Sequence, residues 1–252
     1  KHFRMTGGEP MMDVNTYKVF QYIMDHPKKD LHLNITSNMC PPDEKLKKKY
    51  FNMLQDICMQ EKVEHVMQFV SVDSYGKQAE YIRHGLDYDR MMANVDEFLD
   101  RIPIRNSVTF IITYNNLSVT GLGALLEEIR QLRQKHSKTY QRVWFDIPLL
   151  RQPAWQQITL LPESYQEIHQ SNIEMMQKLS GPEEGYGAFR DFEIQKMQRN
   201  LAYWKKNANA SAKDKKDFYA FFNEHDRRRV TRFLNTFPEM EEFWTECKNA
   251  HE

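Results

Sequence analysis

What most limits how this chain can fold is an alternation. Short runs rich in β-branched and aromatic residues recur between stretches whose apolar residues have helical spacing. Residues 2–5, 31–35, 66–72, 108–113 and 142–147 read as strands. Between them, residues 13–25, 43–59, 90–101 and 121–136 read as helices. The first carries Val14, Tyr17, Phe20 and Met24 on one side, with Asp13 placed to cap it and Pro27 to close it. The second carries Leu46, Tyr50, Leu54 and Ile57 on one face, opposite a basic one. Strands that alternate with helices in this way predict a parallel sheet with crossover connections. The strand runs read as apolar on both faces, as parallel strands covered on both sides should. A doubly wound sheet and a partial barrel both satisfy the pattern.

Beyond Pro153 the character changes. From residue 163 onward only helical patterns occur: 165–178, 189–206, a polar break at 207–213, then shorter helices starting at Asp214, Asp226 and Pro238. The expected division is an α/β domain over residues 1–155 and a helical region over 156–252. Hydrophobic residues make up 40% of the 252 and aromatics 12%, enough for a packed core. Lys plus Arg and Asp plus Glu are 35 each, so the net charge is zero. That removes a global electrostatic case for nucleic acid or an anionic membrane as partner. The three cysteines, Cys40, Cys58 and Cys247, lie far apart without metal-ligand or disulfide-framework spacing, which fits a reducing, cytoplasmic setting. No apolar run approaches the roughly 18 residues of a membrane span. The opening KHFRMTGGEP reads as a strand entering a tight turn without a lead-in, which predicts a further segment upstream.

In parallel α/β folds ligands sit where strands end and loops begin. The loop after the first strand is Thr6-Gly7-Gly8-Glu9-Pro10. Its glycines let the backbone approach a ligand, and its carbonyls and carboxylate suit an ammonium group. An ordinary Gly-Gly turn with a solvated Glu is the simpler alternative. After the second strand come Thr36, Ser37 and Asn38, small polar residues suited to ribose hydroxyls or to capping their own turn. The third strand ends in Val70-Ser71-Val72-Asp73-Ser74, with Tyr81-Ile82-Arg83-His84-Gly85 following in the same crossover. A Ser hydroxyl and an Arg fork can hold one carboxylate together, and pairing of Arg83 with Glu80 or Asp87 is the structural alternative. The fourth loop offers the amides of Asn115 and Asn116, the fifth Asp146-Ile147-Pro148.

Taken in order, these loops resemble those of the radical S-adenosylmethionine superfamily, in its SPASM/twitch-type branch. GGEP at 7–10 is similar to the glycine-rich motif on the second strand of that family's barrel, which receives the methionine amino group of the cofactor. VSVDS at 70–74 followed by YIRHG at 81–85 resembles the fourth-strand segment, where a Ser and an Arg hold the methionine carboxylate; Ser71 and Arg83 match them. NITSN at 34–38 and FIITYNN at 110–116 resemble the third- and fifth-strand segments. The resemblance covers about the first 155 residues. It implies a partial (β/α)6 barrel of which this chain supplies strands two to six, followed by an all-helical region. Gly7, Gly8, Glu9, Pro10, Thr36, Ser37, Asn38, Ser71, Asp73, Arg83, Asn115 and Asn116 become cofactor-binding residues. S-adenosylmethionine and a [4Fe–4S] cluster become the cofactors. The activity it implies is hydrogen abstraction by a 5′-deoxyadenosyl radical, with a small-molecule or peptide substrate and an electron donor as partners. The family's CxxxCxxC is not in this sequence, which puts the cluster ligands upstream. It also leaves open a cluster-free S-adenosylmethionine- or nucleotide-binding scaffold on the same barrel. Cys40, beside a strand end, is a minor candidate for the cofactor face.

The helical region has no auxiliary-cluster cysteines. Phe218, Phe221, Phe222, Phe233, Leu234, Phe237, Phe243 and Trp244 are too many apolar residues to leave in water. They predict that residues 163–252 fold back over the open side of the barrel and help close it. Arg227, Arg228 and Arg229 would then face a cavity and an acidic substrate group, unless they form a solvated helix face.

Overall fold

The computed structural model describes residues 1–251. Five strands form one sheet: β1 (His2–Met5), β2 (Lys28–Ser37), β3 (Val63–Ser71), β4 (Ser107–Ile111) and β5 (Val143–Asp146). All neighbours are parallel, and the spatial order follows the chain order, β1-β2-β3-β4-β5. A doubly wound sheet reverses its strand order at a switch point; this order has no reversal. Right-handed crossovers in sequential order carry every connecting helix to the same face. Those helices are α1 (Val14–Asp25), α2 (Glu44–Met59), the pair α3 (Gly76–Ile82) and α4 (Tyr88–Arg101), and α5 (Leu122–His136). The two-turn helix α3 escapes the periodicity because its 7 residues hold too few apolar repeats.

Local chemistry sets the helix starts. Asp13, Asp43 and Asp87 each stand at an N-cap and accept a backbone N–H two or three residues on. The apolar stripes then pack on alternate strand residues. Leu33 and Ile35, Val66 and Val70, Val108 and Phe110, and Val143 and Phe145 are all buried beneath Phe20, Leu54, Phe98 and Ile129. Besides Ser37 at the end of β2, one polar side chain lies in these buried rows, Gln68. It accepts from the Tyr50 hydroxyl at 2.7 Å and donates to the Ile35 carbonyl at 3.0 Å, so its burial leaves no polar atom unpaired.

The second face departs from the expectation of strands apolar on both sides. Along β2, His32, Asn34 and Thr36 alternate with the buried Leu33 and Ile35 and are half-buried; His65, Met67, Phe69 and Ser71 do the same along β3. The register aligns these residues across the sheet. His2, His32 and His65 form one lateral row, with ring centroids 4.7 and 5.9 Å apart. Thr36, Phe69, Thr109 and Trp144 form another.

Five further helices come after β5: α6 (Ser164–Lys178), α7 (Asp191–Lys206), α8 (Ala212–Arg229), α9 (Phe233–Thr236) and α10 (Glu241–His251). Helix α7 runs beside β5: Phe192 meets Trp144, Lys196 pairs with Asp146, and Asn200 donates to the Ile147 carbonyl. The helix expected to begin at Asp226 does not exist as such. Helix α8 continues to Arg229 and ends at Val230, whose φ of 55° is left-handed. Asp226 instead caps the turn that leads into α9, accepting from the Phe233 N–H at 2.6 Å and the Thr231 hydroxyl at 2.7 Å.

Helices α8 to α10 do not cover the open polar face. They pack on α3 and on the turn at Ala154–Gln156, where Trp155 meets Phe221 and Phe222. The buried apolar cluster is continuous from Met11 to Cys247. No described helix is long and apolar enough to cross a membrane.

Candidate functional site at the C-terminal edge of the sheet

The C-terminal ends of β1 to β4 gather most of the residues singled out in the sequence. After β1, Gly7 and Gly8 adopt φ of 90° and 60°, and a Cβ placed on either would meet nothing within 4 Å. Backbone that needs glycine and faces open space is where a ligand can approach the main chain closely. Glu9 behaves differently from a solvated carboxylate. It accepts from the Ser37 hydroxyl at 2.6 Å, the Asn38 N–H at 2.9 Å and the Met11 N–H at 3.2 Å. The first loop is thereby tied to the end of β2. A carboxylate offers about four lone-pair directions, so one remains for a ligand. Pro10 is buried under the loop. Ser37 is buried and committed to Glu9 and Met39, and Asn38 caps the Cys40 N–H, while Thr36 is half-exposed on the open face.

Asp73 is the centre of the third loop. Only 5% exposed, it accepts the Thr113 N–H at 2.9 Å, which clamps the end of β3 to that of β4. It also holds Arg83: Nη2 donates to Oδ1 at 3.1 Å, and Nε lies 2.8 Å from Oδ2 but is aligned too poorly for a hydrogen bond. Arg83 therefore pairs with Asp73 rather than with Glu80 or Asp87. Glu80 bonds Lys77 and the Tyr88 N–H instead. A guanidinium has five donors. Asp73 engages only the Nε–Nη2 edge, so the Nη1 side stays free, and the side chain is one-third exposed. Ser71, two residues before Asp73 on the same strand face, is half-exposed.

The fourth loop turns inward. Asn115 donates to the Thr113 carbonyl and accepts from the Leu117 N–H. Fully buried Asn116 donates to the Trp155 carbonyl, and its Oδ1 is left without a partner. These amides build the loop and its junction with the 154–156 turn. Tyr114, also fully buried, donates to Nδ1 of His169 at 2.6 Å. The fifth loop's Asp146 is engaged by Lys196, whose pKa is lowered by burial and by nearby Arg199.

Cys40 is buried, with Nε and Nη2 of Arg90 donating to its sulfur at 3.2 and 3.0 Å, so it is turned to α4. Arg227 and Arg228 both pair with Glu224, and their side chains are 71% and 72% exposed. They and the exposed Arg229 form a solvated helix end, not a cavity wall. No group of three or more His, Cys, Asp or Glu among the described residues is placed to hold a metal. Arg4 on the open face carries no signal in the four-residue run of β1, and Asn34, within the NITSN stretch, is placed on that face by the alternation His-Leu-Asn-Ile-Thr along β2.

No family model, curated protein or solved structure matches this chain.

Proposed function

We propose that the C-terminal edge of the sheet binds S-adenosylmethionine, and that the chain is the barrel part of a radical S-adenosylmethionine enzyme of the SPASM/twitch type. The sheet would be five strands of a partial (β/α)6 barrel. The observation that carries the reading is Arg83, oriented by Asp73, two residues after Ser71, with its Nη1 side unspent, on the same sheet edge as the open Gly7-Gly8 backbone. A methionine carboxylate suits Arg83 and Ser71. Its ammonium group suits the carbonyls of the first loop and the remaining lone pair of Glu9.

With one electron from a reduced [4Fe–4S] cluster, bound S-adenosylmethionine would give methionine and a 5′-deoxyadenosyl radical able to take hydrogen from a substrate. The described residues do not offer a cluster ligand set, and the three cysteines are separately buried. No step is assigned to a cluster on these residues; their part is to bind, orient and shield. That same observation favours a second reading, a cluster-free S-adenosylmethionine- or nucleotide-binding protein. Free thiols accord with a reducing, cytoplasmic compartment.

The test is calorimetric titration with S-adenosylmethionine and with ATP. Tight binding of the first and weak binding of the second are expected. Removing one side of a charge-paired contact costs about 2–5 kcal/mol, so Arg83→Ala is expected to weaken S-adenosylmethionine binding by at least about 30-fold. Ser71→Ala removes one charge-assisted hydrogen bond, about 1–3 kcal/mol. Unchanged binding in both variants rejects the assignment, and preference for ATP favours a plain nucleotide module.

A further inference from the structure

Parallel sheets are normally covered on both faces. Here one face of the central strand stays half-open, and the tail that could have covered it packs elsewhere. The face is also polar in an unusual way. Arg4, Asn34 and Thr36 point onto it and Thr109, 7% exposed, lies at its floor; none of the four makes a side-chain hydrogen bond or ion pair with any described residue. In a folded protein, polar groups on such a face without protein partners are free to serve a ligand.

Arg4 is the informative one. Its guanidinium lies 5.1 Å from the centroid of the Phe69 ring, with no carboxylate paired to it. The arginine is thus held over the sheet by a cation–π contact that leaves its N–H edges free. Asp146, the acid on the β5 end of this face, is already engaged by Lys196. An anion is the complement of such a surface. Trp144 lies in the same lateral row as Phe69 with Thr109 between them, two strand spacings or about 10 Å away. Its indole is half-exposed and backed by Phe192, an arrangement suited to stacking a flat ring.

We infer that this face binds a nucleoside monophosphate: the phosphate at Arg4 over β3, flanked by Asn34 and Thr36 on β2, the ribose over Thr109 on β4, and the base against Trp144 on β5. The span, the single unpaired cation at one end with the Asn34 amide and Thr36 hydroxyl beside it, the Thr109 hydroxyl between, and the half-exposed ring at the other end each match that ligand. As the substrate site, it rests on the cofactor reading above; as a binding site it does not.

The experiment is calorimetric titration of the protein with uridine 5′-monophosphate, uridine and inorganic phosphate, with and without saturating S-adenosylmethionine. A pyrimidine nucleotide is chosen because it shares no base with the cofactor. Saturable binding of the monophosphate is expected, at least about tenfold tighter than that of uridine or phosphate, since both ends contribute. Arg4→Ala should weaken it by about tenfold or more, as should Trp144→Ala, with Trp144→Phe retaining most of the affinity. Arg4 is exposed and its replacement leaves the core intact. S-adenosylmethionine should not compete. Equal affinity in Arg4→Ala and the native chain overturns the inference. So does competition by S-adenosylmethionine, or binding of the monophosphate no tighter than phosphate. Failure of S-adenosylmethionine to bind while the monophosphate still does overturns the cofactor reading alone.

Discussion

His169 has two ring nitrogens and two partners, and the partners decide its protonation. Nε2 lies 2.9 Å from the Met197 carbonyl, which can only accept, so Nε2 carries the hydrogen. Nδ1 then accepts from the Tyr114 hydroxyl. The ring is neutral and fully buried, and burial lowers its pKa from the ordinary 6.5. The unfolded chain therefore binds a proton more readily than the folded one. Stability from this group is complete above about pH 6.5 and is lost as the pH falls below it, by up to about 1.4 kcal/mol per pH unit. His65, lowered by burial and by His32, adds in the same direction. Urea midpoints measured from about pH 7.5 down to about pH 5 should fall, and His169→Gln should flatten that dependence while lowering the plateau. An unchanged slope in the variant rejects the assignment. Nothing in the sequence marks His169, because its partners lie 55 and 28 residues away. Asn116 is hidden in the same way, whereas Asn115 bonds within its own loop, to the Thr113 carbonyl and the Leu117 N–H. An amide at a strand end looks free until the Trp155 carbonyl that claims Asn116 is in place.

At the scale of elements, α5 and α7 are joined by a buried ion pair. Arg133 and Glu193 have side chains 0% and 1% exposed. Arg133 also donates to the Val143 carbonyl and lies over the rings of Phe145 and Phe189; Glu193 also accepts the Arg190 N–H at the start of α7. Removing one partner of such a pair leaves an uncompensated charge and typically costs about 3–5 kcal/mol. Glu193→Ala is expected to lose that much in urea unfolding. Arg133→Met with Glu193→Leu should recover much of it, since apolar replacement of both members is often neutral. A double variant no better than the single would show that the pair itself contributes net stability. The helices carrying this pair were legible from their spacing. Arg133 left one visible trace, a cation on the apolar stripe of α5 between Leu132 and His136. Its partner, 60 residues on, could not be named from that trace. The missed α3 and the uninterrupted α8 have the same origin. Local pattern locates an apolar stripe but not whether a residue such as Asp226 starts a helix or, from within one, holds the turn that follows it.

The whole molecule links the tail to the site through Tyr81. Its ring meets Phe222, His225, Phe233 and Phe237, and its hydroxyl donates to Asp226 at 2.9 Å. The expectation that the tail's aromatic residues are buried holds for Phe218, Phe222, Phe233, Phe237 and Phe243, whereas Phe221 is 46% exposed. Composition could show that the tail must dock but not where, because α3, its receiving surface, gave no periodic signal. Tyr81 stands two residues before Arg83, so docking of the tail fixes the backbone from which the Arg83 fork extends toward Asp73. Phe222→Ala removes a buried ring at this junction and should cost about 3–5 kcal/mol. The continuous core predicts that the loss appears in one cooperative unfolding transition rather than in a separate melting of the tail. A second effect separates support of the site from mere packing. Below the variant's unfolding temperature, S-adenosylmethionine affinity measured by calorimetry should fall as well, because a loosened α3 no longer holds Arg83 in register with Ser71 and Gly8. Near-ultraviolet circular dichroism confirms at each temperature that the variant is folded. Lower stability with unchanged affinity would mean that the tail packs on α3 without positioning Arg83.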